Sequence, residues 1–423
     1  MAYFIYNLFL YISLLILAPI AAWRLLTRPE KMAGLWQKLG FGLPAMREKT
    51  IWIHAVSVGE VMAAEPLVEE LAKRSNRPIV ISVTTVTGRE VAEKRLAQKA
   101  KIVYFPYDFR FAVKRAVRAF KPAAFVTIDT EIWPNVIAEC KRFGAAVILA
   151  NGRISDRSHP KYMKLRWLMK EVLANVSLCL MQGEEDARRI VELGATKEKA
   201  IVAGNLKFDK PHEAVDERRR EELRRSIGIA PDERVMFLGS VHAGEEAAIA
   251  AYLKAAKSVK GLRLVIAPRR IEDIGWIEQA LSGSGYSAMR KTTMTGEAAR
   301  WDKIVPVIDT FGELSKLYAV ADVVFVGGSL IPHGGQNPLE PAAHGVPVIF
   351  GHNMTNFRDA AKILKDAKAA WITSSTGEIS NKVCELFGDE TARKSAGEAA
   401  KKAVERNRGA ASRSAELIAR YLK

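Results

Sequence analysis

Residues 326–347 read VGGSLIPHGGQNPLEPAAHGVP, and the way this stretch folds decides the fold class. The apolar, β-branched run Ala321–Val326 leading into it has the character of a buried strand, and Leu339–His344 has room for a short helix. Strand, glycine loop and helix is therefore the local expectation. Gly327, Gly328, Gly334 and Gly335 let the backbone come close to a ligand, and Asn337 with Pro338 suits a cap and first turn. Ser329 lies in the loop, and the helix start offers N–H groups to a phosphate. Glu340, one turn in, can accept hydrogen bonds from ribose hydroxyls. The competing expectation is an ordinary strand-to-helix turn in which Asn337 caps and Glu340 offsets the helix dipole.

Outward from this stretch, 423 residues are long for a single core, so two packed domains are expected. Lys and Arg outnumber Asp and Glu by 17. The excess is uneven, with 33 basic and 20 acidic residues in positions 1–210. That half faces something anionic. No zinc-ligand spacing or aromatic RNA-binding motif supports nucleic acid as the partner. A membrane surface is better supported, because Tyr3–Leu26 is apolar apart from Asn7, Ser13, Pro19 and Arg24, long enough to span or lie deep in a bilayer. Arg24, Arg28, Lys31 and Lys38 follow the apolar run rather than precede it, which argues against a cleaved signal and places the body on the cytoplasmic side. Three unpaired cysteines, Cys140, Cys179 and Cys384, fit a reducing compartment and suggest no metal site.

The remaining strands fall into two series. Thr50–Ala55 is a first strand, and Ser57-Val58-Gly59-Glu60 opens a helix in which Glu60 completes a capping box or meets substrate. Strands are expected at Pro78–Thr84, Ile102–Phe105, Ala123–Ile128 and Val147–Leu149, with a further strand end at Leu178–Met181 and one helix over Lys161–Leu173. Asp129 and Glu131 follow the strand at Ala123–Ile128, where open α/β sheets place their ligands, and they do not form an Asp-x-Asp metal motif. After a polar hinge between about Lys210 and Arg219 the pattern restarts: Val235–Leu238 leads into Gly239-Ser240-Val241-His242-Ala243-Gly244-Glu245-Glu246, and Leu262–Ala267 ends in Pro268-Arg269-Arg270. Gly312–Val320 is expected to be helical. The fold class is thus α/β, with two Rossmann-like parallel-sheet domains. The divisions are an anchor helix at 1–28, an N-terminal domain at 29–212, a C-terminal domain at 220–395, and a last helix at 396–423 that could pack back on the N-terminal domain.

Four motifs carry a resemblance: His54-Ala55-Val56-Ser57-Val58-Gly59-Glu60, Thr130-Glu131-Ile132-Trp133-Pro134-Asn135, Gly204-Asn205-Leu206-Lys207-Phe208-Asp209, and Gly327–Leu330 with Gly334–Glu340. Together they resemble the 3-deoxy-D-manno-oct-2-ulosonic acid (Kdo) transferases of lipopolysaccharide synthesis, glycosyltransferase family 30, over nearly the whole chain. The resemblance implies a GT-B fold with its two domains facing a central cleft, an N-terminal anchor at the bacterial inner membrane, CMP-Kdo as donor, a lipid A precursor of the lipid IVA type as acceptor, and inverting transfer without metal or cofactor. It implies a donor site of Lys207, Ser240, Arg269, Gly312, Gly327, Gly328, Ser329, Gly334, Gly335, Asn337 and Glu340. Within that set, N–H groups near Ser329 and Asn337, with Lys207 and Arg269, would stabilise the departing phosphate. Gly34, Lys38, Ser57 and Gly59 would stand on the acceptor side.

The chain departs from the family at one position. Relatives carry a Glu, the implied general base, where this sequence has Gln37, and an amide cannot take a proton at neutral pH. Three accounts are open: Gln37 is an introduced change that disables the enzyme, Gln37 is natural and Glu60, Asp129 or Glu131 supplies the base, or the chain is a non-catalytic relative that binds lipid or nucleotide.

Overall fold

Fully buried β-branched runs separated by helical stretches can only be covered on both faces, and they assemble here into two all-parallel sheets. The computed structural model describes residues 1–27, 34–209, 215–294 and 303–422. Contacts divide the chain into two units, Met1–Pro211 with Asn407–Lys423, and His212–Arg406.

In the first unit, β1 (Thr50–His54), β2 (Ile79–Val83), β3 (Ala100–Tyr104), β4 (Pro122–Ile128), β5 (Ala146–Gly152), β6 (Leu178–Met181) and β7 (Ala200–Val202) lie in the order β3-β2-β1-β4-β5-β6-β7. The order reverses direction between β1 and β4, and open sheets bind ligands at the C-terminal strand ends beside such a switch point. Alternation along β1 sends Ile51 and Ile53 to one face, with Leu67 and Leu71 of the helix Val58–Arg74, and Trp52 to the other, with Phe120 and Phe125. The second unit repeats the plan. Its strands β8 (Arg234–Val241), β9 (Leu262–Pro268), β10 (Ser287–Arg290), β11 (Ile304–Val307), β12 (Val323–Val326), β13 (Val348–Phe350) and β14 (Ala370–Ile372) run in the order β10-β11-β9-β8-β12-β13-β14, with the reversal between β8 and β12.

Several local expectations change. The strands β7, β10 and β14 are three or four residues long and partly exposed, which leaves them no periodic signal. The helix expected over Lys161–Leu173 is two, His159–Lys164 and Arg166–Leu173, because Leu165 leaves helical geometry at φ −105°, ψ 19°. The one expected over Gly312–Val320 reduces to Leu314–Leu317 and a 3-10 turn at Tyr318–Val320. The last helix is also two: Glu390–Arg406 belongs to the second unit, while Ala410–Ala419 packs on Val58–Arg74 in the first. Asp209 fixes that return, its carboxylate accepting from the N–H groups of Gly409 and Ala411 at the start of the helix.

The apolar N-terminal run forms a helix, Ala2–Thr27, yet among the described residues no helix is long and apolar enough to cross a membrane. Its first turns dock on the first unit instead. Ala2 is buried, Tyr3 and Tyr6 pack against the Trp52 side of the core, Tyr6 donates to Asp108 at 2.7 Å, and Asn7 exchanges hydrogen bonds with Asn135. Phe4, Leu8, Phe9 and Leu15 remain exposed. Residues 28–33, which hold Arg28 and Lys31, lie outside the described residues, as do residues 210–214 of the hinge expected between about Lys210 and Arg219.

Candidate functional site

At the first switch point, β1 ends at His54 and the chain turns into the helix Val58–Arg74 with Ser57 at its cap. The Glu60 carboxylate folds back over that turn, accepting from Val56 N–H at 2.7 Å and from the Ser57 hydroxyl at 2.9 Å. This is a variant of the expected capping box, shifted by one residue: Glu60 accepts from Val56 N–H before the cap, and the Ser57 side chain makes no bond onto the helix backbone. Burial raises Glu60 to about 7, against the lowering effect of these hydrogen bonds, and the carboxylates of Asp129 and Glu131 add to the rise. Asp129, half-buried at the end of β4, is raised by burial and partly compensated by Lys207, a hydrogen bond from Asn151, and Arg153. Glu131 is raised by burial and by Asp129. Three carboxyl groups from adjacent strand ends thus share one electrostatic neighbourhood.

The same neighbourhood stores backbone strain. Asp129 and Asn151 both hold φ at +57°, a left-handed conformation that side chains rarely adopt. They are tied together: Asn151 donates to Asp129 at 2.6 Å and accepts from Leu206 N–H at 2.9 Å, which carries the Gly204–Asp209 motif to the end of β4. Asn151 was not a sequence candidate, although its place just before Gly152 at a strand end was the available signal. His54 is fully buried, stacked on Phe105 at 3.5 Å, and held neutral by burial, its pKa lowered to about 3. A neutral imidazole at this depth is no proton store at ordinary pH.

Gly34, Gln37 and Lys38 converge on Tyr104 at the end of β3. A Cβ on Gly34, which has φ +70°, would stand 1.8 Å from the Tyr104 ring. Gln37 Oε1 accepts from Tyr104 N–H at 2.9 Å, and Lys38 Nζ lies 4.8 Å from the ring centroid with its pKa lowered by burial. Arg89 lies at the same distance from that ring. Tyr104 is the organising residue of this segment, and nothing in its own spacing announced it. Gly59 is exposed on the first turn of Val58–Arg74.

At the second switch point, β8 and β12 end side by side, Gly239 opposite Val326. Ser240 holds φ at +54°, and a Cβ on Gly327 would lie 2.5 Å from the Ser240 carbonyl oxygen, so the two strand ends touch backbone to backbone. Gly328, Gly334 and Gly335 all have positive φ. Several N–H groups of this loop are already engaged. Gly327 donates to Gly239, Gly335 to Gly328 and Gln336 to Gly327, while Gly328 and Ser329 donate to the carboxylate of Glu245. The N–H groups beside Ser329, expected to meet a donor phosphate, here face an internal carboxylate. Asn337 acts as the cap expected at the start of the helix Leu339–Ala343: its side-chain oxygen accepts from Leu339 N–H at 3.1 Å while its NH2 group donates to Glu340 at 3.3 Å, and Pro338 between them already holds helical geometry at φ −80°, ψ −10°. Arg269 is exposed, its backbone tied to Val241 and its charge felt by His242. Gly312 is exposed in a turn with open space where a Cβ would be, which gives no local reason for glycine beyond its φ of +83°.

Comparison with known proteins adds to this geometry. Residues 33–210 match the family model described as 3-deoxy-D-manno-octulosonic-acid transferase (kdotransferase). A 3-deoxy-D-manno-octulosonic acid transferase of Haemophilus influenzae is 31% identical over 384 residues, covering 88% of this chain and 87% of that protein. A bifunctional glycosyltransferase/methyltransferase of Fusobacterium nucleatum is 36% identical over 334 residues, 78% of this chain, but this chain spans only 52% of that longer protein. Among solved structures, a glycosyltransferase of Rickettsia africae is similar in fold, with a TM-score of 0.60 at 11% identity over 89% of this chain and 99% of that one.

Proposed function

The chain belongs to the 3-deoxy-D-manno-octulosonic-acid transferase family, glycosyltransferases of lipopolysaccharide synthesis, and from that premise we propose that it transfers Kdo from CMP-Kdo to a lipid A precursor with Glu60 as general base. The observation that carries this reading is the raised Glu60 carboxyl at the first switch point, flanked by Asp129 and Glu131. A base poised near neutrality can take the acceptor hydroxyl proton as the anomeric carbon is attacked, and a group at about 7 matches that task. Gln37 accepts a backbone hydrogen bond and holds no exchangeable charge, so it positions the 34–40 segment on Tyr104. Lys38 and the basic surface of the first unit suit an acceptor bearing phosphates. Ser240, Gly327, Gly328, Gly334, Gly335 and Glu340 suit the donor nucleotide, with Glu340 toward the ribose. Arg269, exposed just beyond the end of β9 in the second unit, suits the departing phosphate, while Lys207 in the first unit offsets the charge of Asp129. No metal or cofactor enters the scheme.

The helix Ala2–Thr27, docked by Tyr6 and Asn7 with apolar side chains left outward, suits an interfacial helix on the cytoplasmic face of the inner membrane.

The test is Kdo transfer from freshly generated CMP-Kdo by the unsubstituted chain, Glu60→Gln and Gln37→Glu. The expected result is turnover by the unsubstituted chain and a loss of about 100- to 10,000-fold in Glu60→Gln. Turnover that appears only in Gln37→Glu would move the base to position 37 and mark this chain as disabled. CMP binding without transfer by any of the three would leave a non-catalytic relative.

A further inference from the structure

Glu245 is fully buried, and its carboxylate is held by four backbone N–H groups: His242 and Gly328 on one oxygen at 3.0 and 2.7 Å, Ser329 and Leu330 on the other at 3.0 Å each. It stands at the cap of the helix Glu246–Ala255, yet the side chain does not turn back onto its own helix. It crosses from the end of β8 to the loop after β12. Successive N–H groups pointing into one concavity form the kind of anion hole that elsewhere cradles a phosphate. Here the protein's own carboxylate occupies it. No lysine or arginine is needed to make that burial tolerable, because four donors satisfy the anion directly.

We infer that Glu245 is a positioning residue for the donor: an internal anion that fixes the Gly327–Leu330 loop in its binding conformation and keeps phosphate out of the loop's own N–H groups. The inference rests on the reading that this loop meets the CMP portion of the donor. Its consequence is that the loop approaches the nucleotide with its backbone already set, so the donor's phosphate is met by side chains. An amide in place of the carboxylate keeps the size but turns an NH2 group toward two of the four N–H donors, and the loop loses its fixed geometry.

The experiment compares the full chain with Glu245→Gln, by CMP affinity in titration calorimetry and by steady-state transfer kinetics in which donor and acceptor are varied in turn. A positioning role predicts CMP affinity and donor KM each worsened about tenfold or more, with the acceptor KM little changed. A purely structural defect would instead lower the active fraction, reducing kcat and leaving both KM values alone, and that result overturns the inference. Hydrogen exchange on the unsubstituted chain supplies a second test that needs no variant. The amides of Gly328, Ser329 and Leu330 should be protected without CMP and change little on its addition. Protection that appears only with CMP overturns the inference. If the unsubstituted chain binds no CMP, the donor reading beneath the inference fails with it; if it binds CMP and Glu245→Gln binds equally well, the inference alone fails.

Discussion

Glu60, with its carboxyl raised to about 7, changes charge near neutral pH. A base acts deprotonated, so kcat/KM should climb as pH rises through about 7 and level off above it. That limb should vanish in Glu60→Gln along with most of the rate. Stability runs the other way. The folded chain keeps the Glu60 proton up to about 7, whereas an ordinary Glu releases it at 4.5. The fold's advantage from this group is therefore full at acid pH and is lost as pH rises through about 7. Glu60→Gln keeps the neutral shape at every pH, so its Tm relative to the parent should improve from mildly acid to mildly alkaline buffer; a constant difference would mean the carboxyl is not raised. The sequence had offered Glu60 as cap or ligand. The structure shows the carboxylate folded back over Val56, which also buries it near Asp129 and Glu131.

The elements that were legible were those whose own side chains state their surroundings: β1 and β12 as unbroken apolar runs, and the glycine loop after β12 by composition. What stayed hidden depends on partners distant in the chain. Asp108 reads as a polar residue after a strand, yet it is buried and raised to about 6, accepting from Asn135 and Val136 N–H at the start of the helix Pro134–Phe143 and from Tyr6. Tyr6 and Asn7 likewise read as imperfections in an apolar run. They are the docking points of the N-terminal helix. Tyr6→Phe should weaken that docking by about 1 kcal/mol, seen as faster hydrogen exchange in the first turns of the helix with the sheet unaffected. Gly351 shows the same limit, because nothing near it in sequence reveals that a Cβ there would stand 2.2 Å from the Ser329 carbonyl oxygen. Gly351→Ala should destabilise the second unit by about 3 kcal/mol, measurable by chemical denaturation.

At the scale of the molecule, the uneven charge and the apolar helix belong to the same unit, the one that also holds the raised carboxyls. Binding to vesicles of anionic phospholipid should therefore weaken steeply as salt is added, and replacing exposed Phe4 and Phe9, 72% and 68% accessible, with Ser should weaken it at every salt concentration. Salt-independent binding, or binding indifferent to those two residues, would contradict an interfacial helix on a charged surface. The two-domain plan was readable from alternating strands and helices. The return of Ala410–Ala419 to the first unit was visible only as a possibility, since the capping by Asp209 that fixes it joins residues on either side of the whole second unit.

That return has a consequence for synthesis. A nascent chain leaves the ribosome N-terminus first, and domains generally fold as units while it does so. Here the second unit, residues 212–406, is complete before the first unit receives its closing helix. Until then the Val58–Arg74 helix lacks the cover of Ala411, Ala415 and Ile418, while the N-terminal apolar helix has been exposed since the beginning. The part that suits a lipid surface is thus available throughout translation, and the unit that carries the raised carboxyls is the last to close.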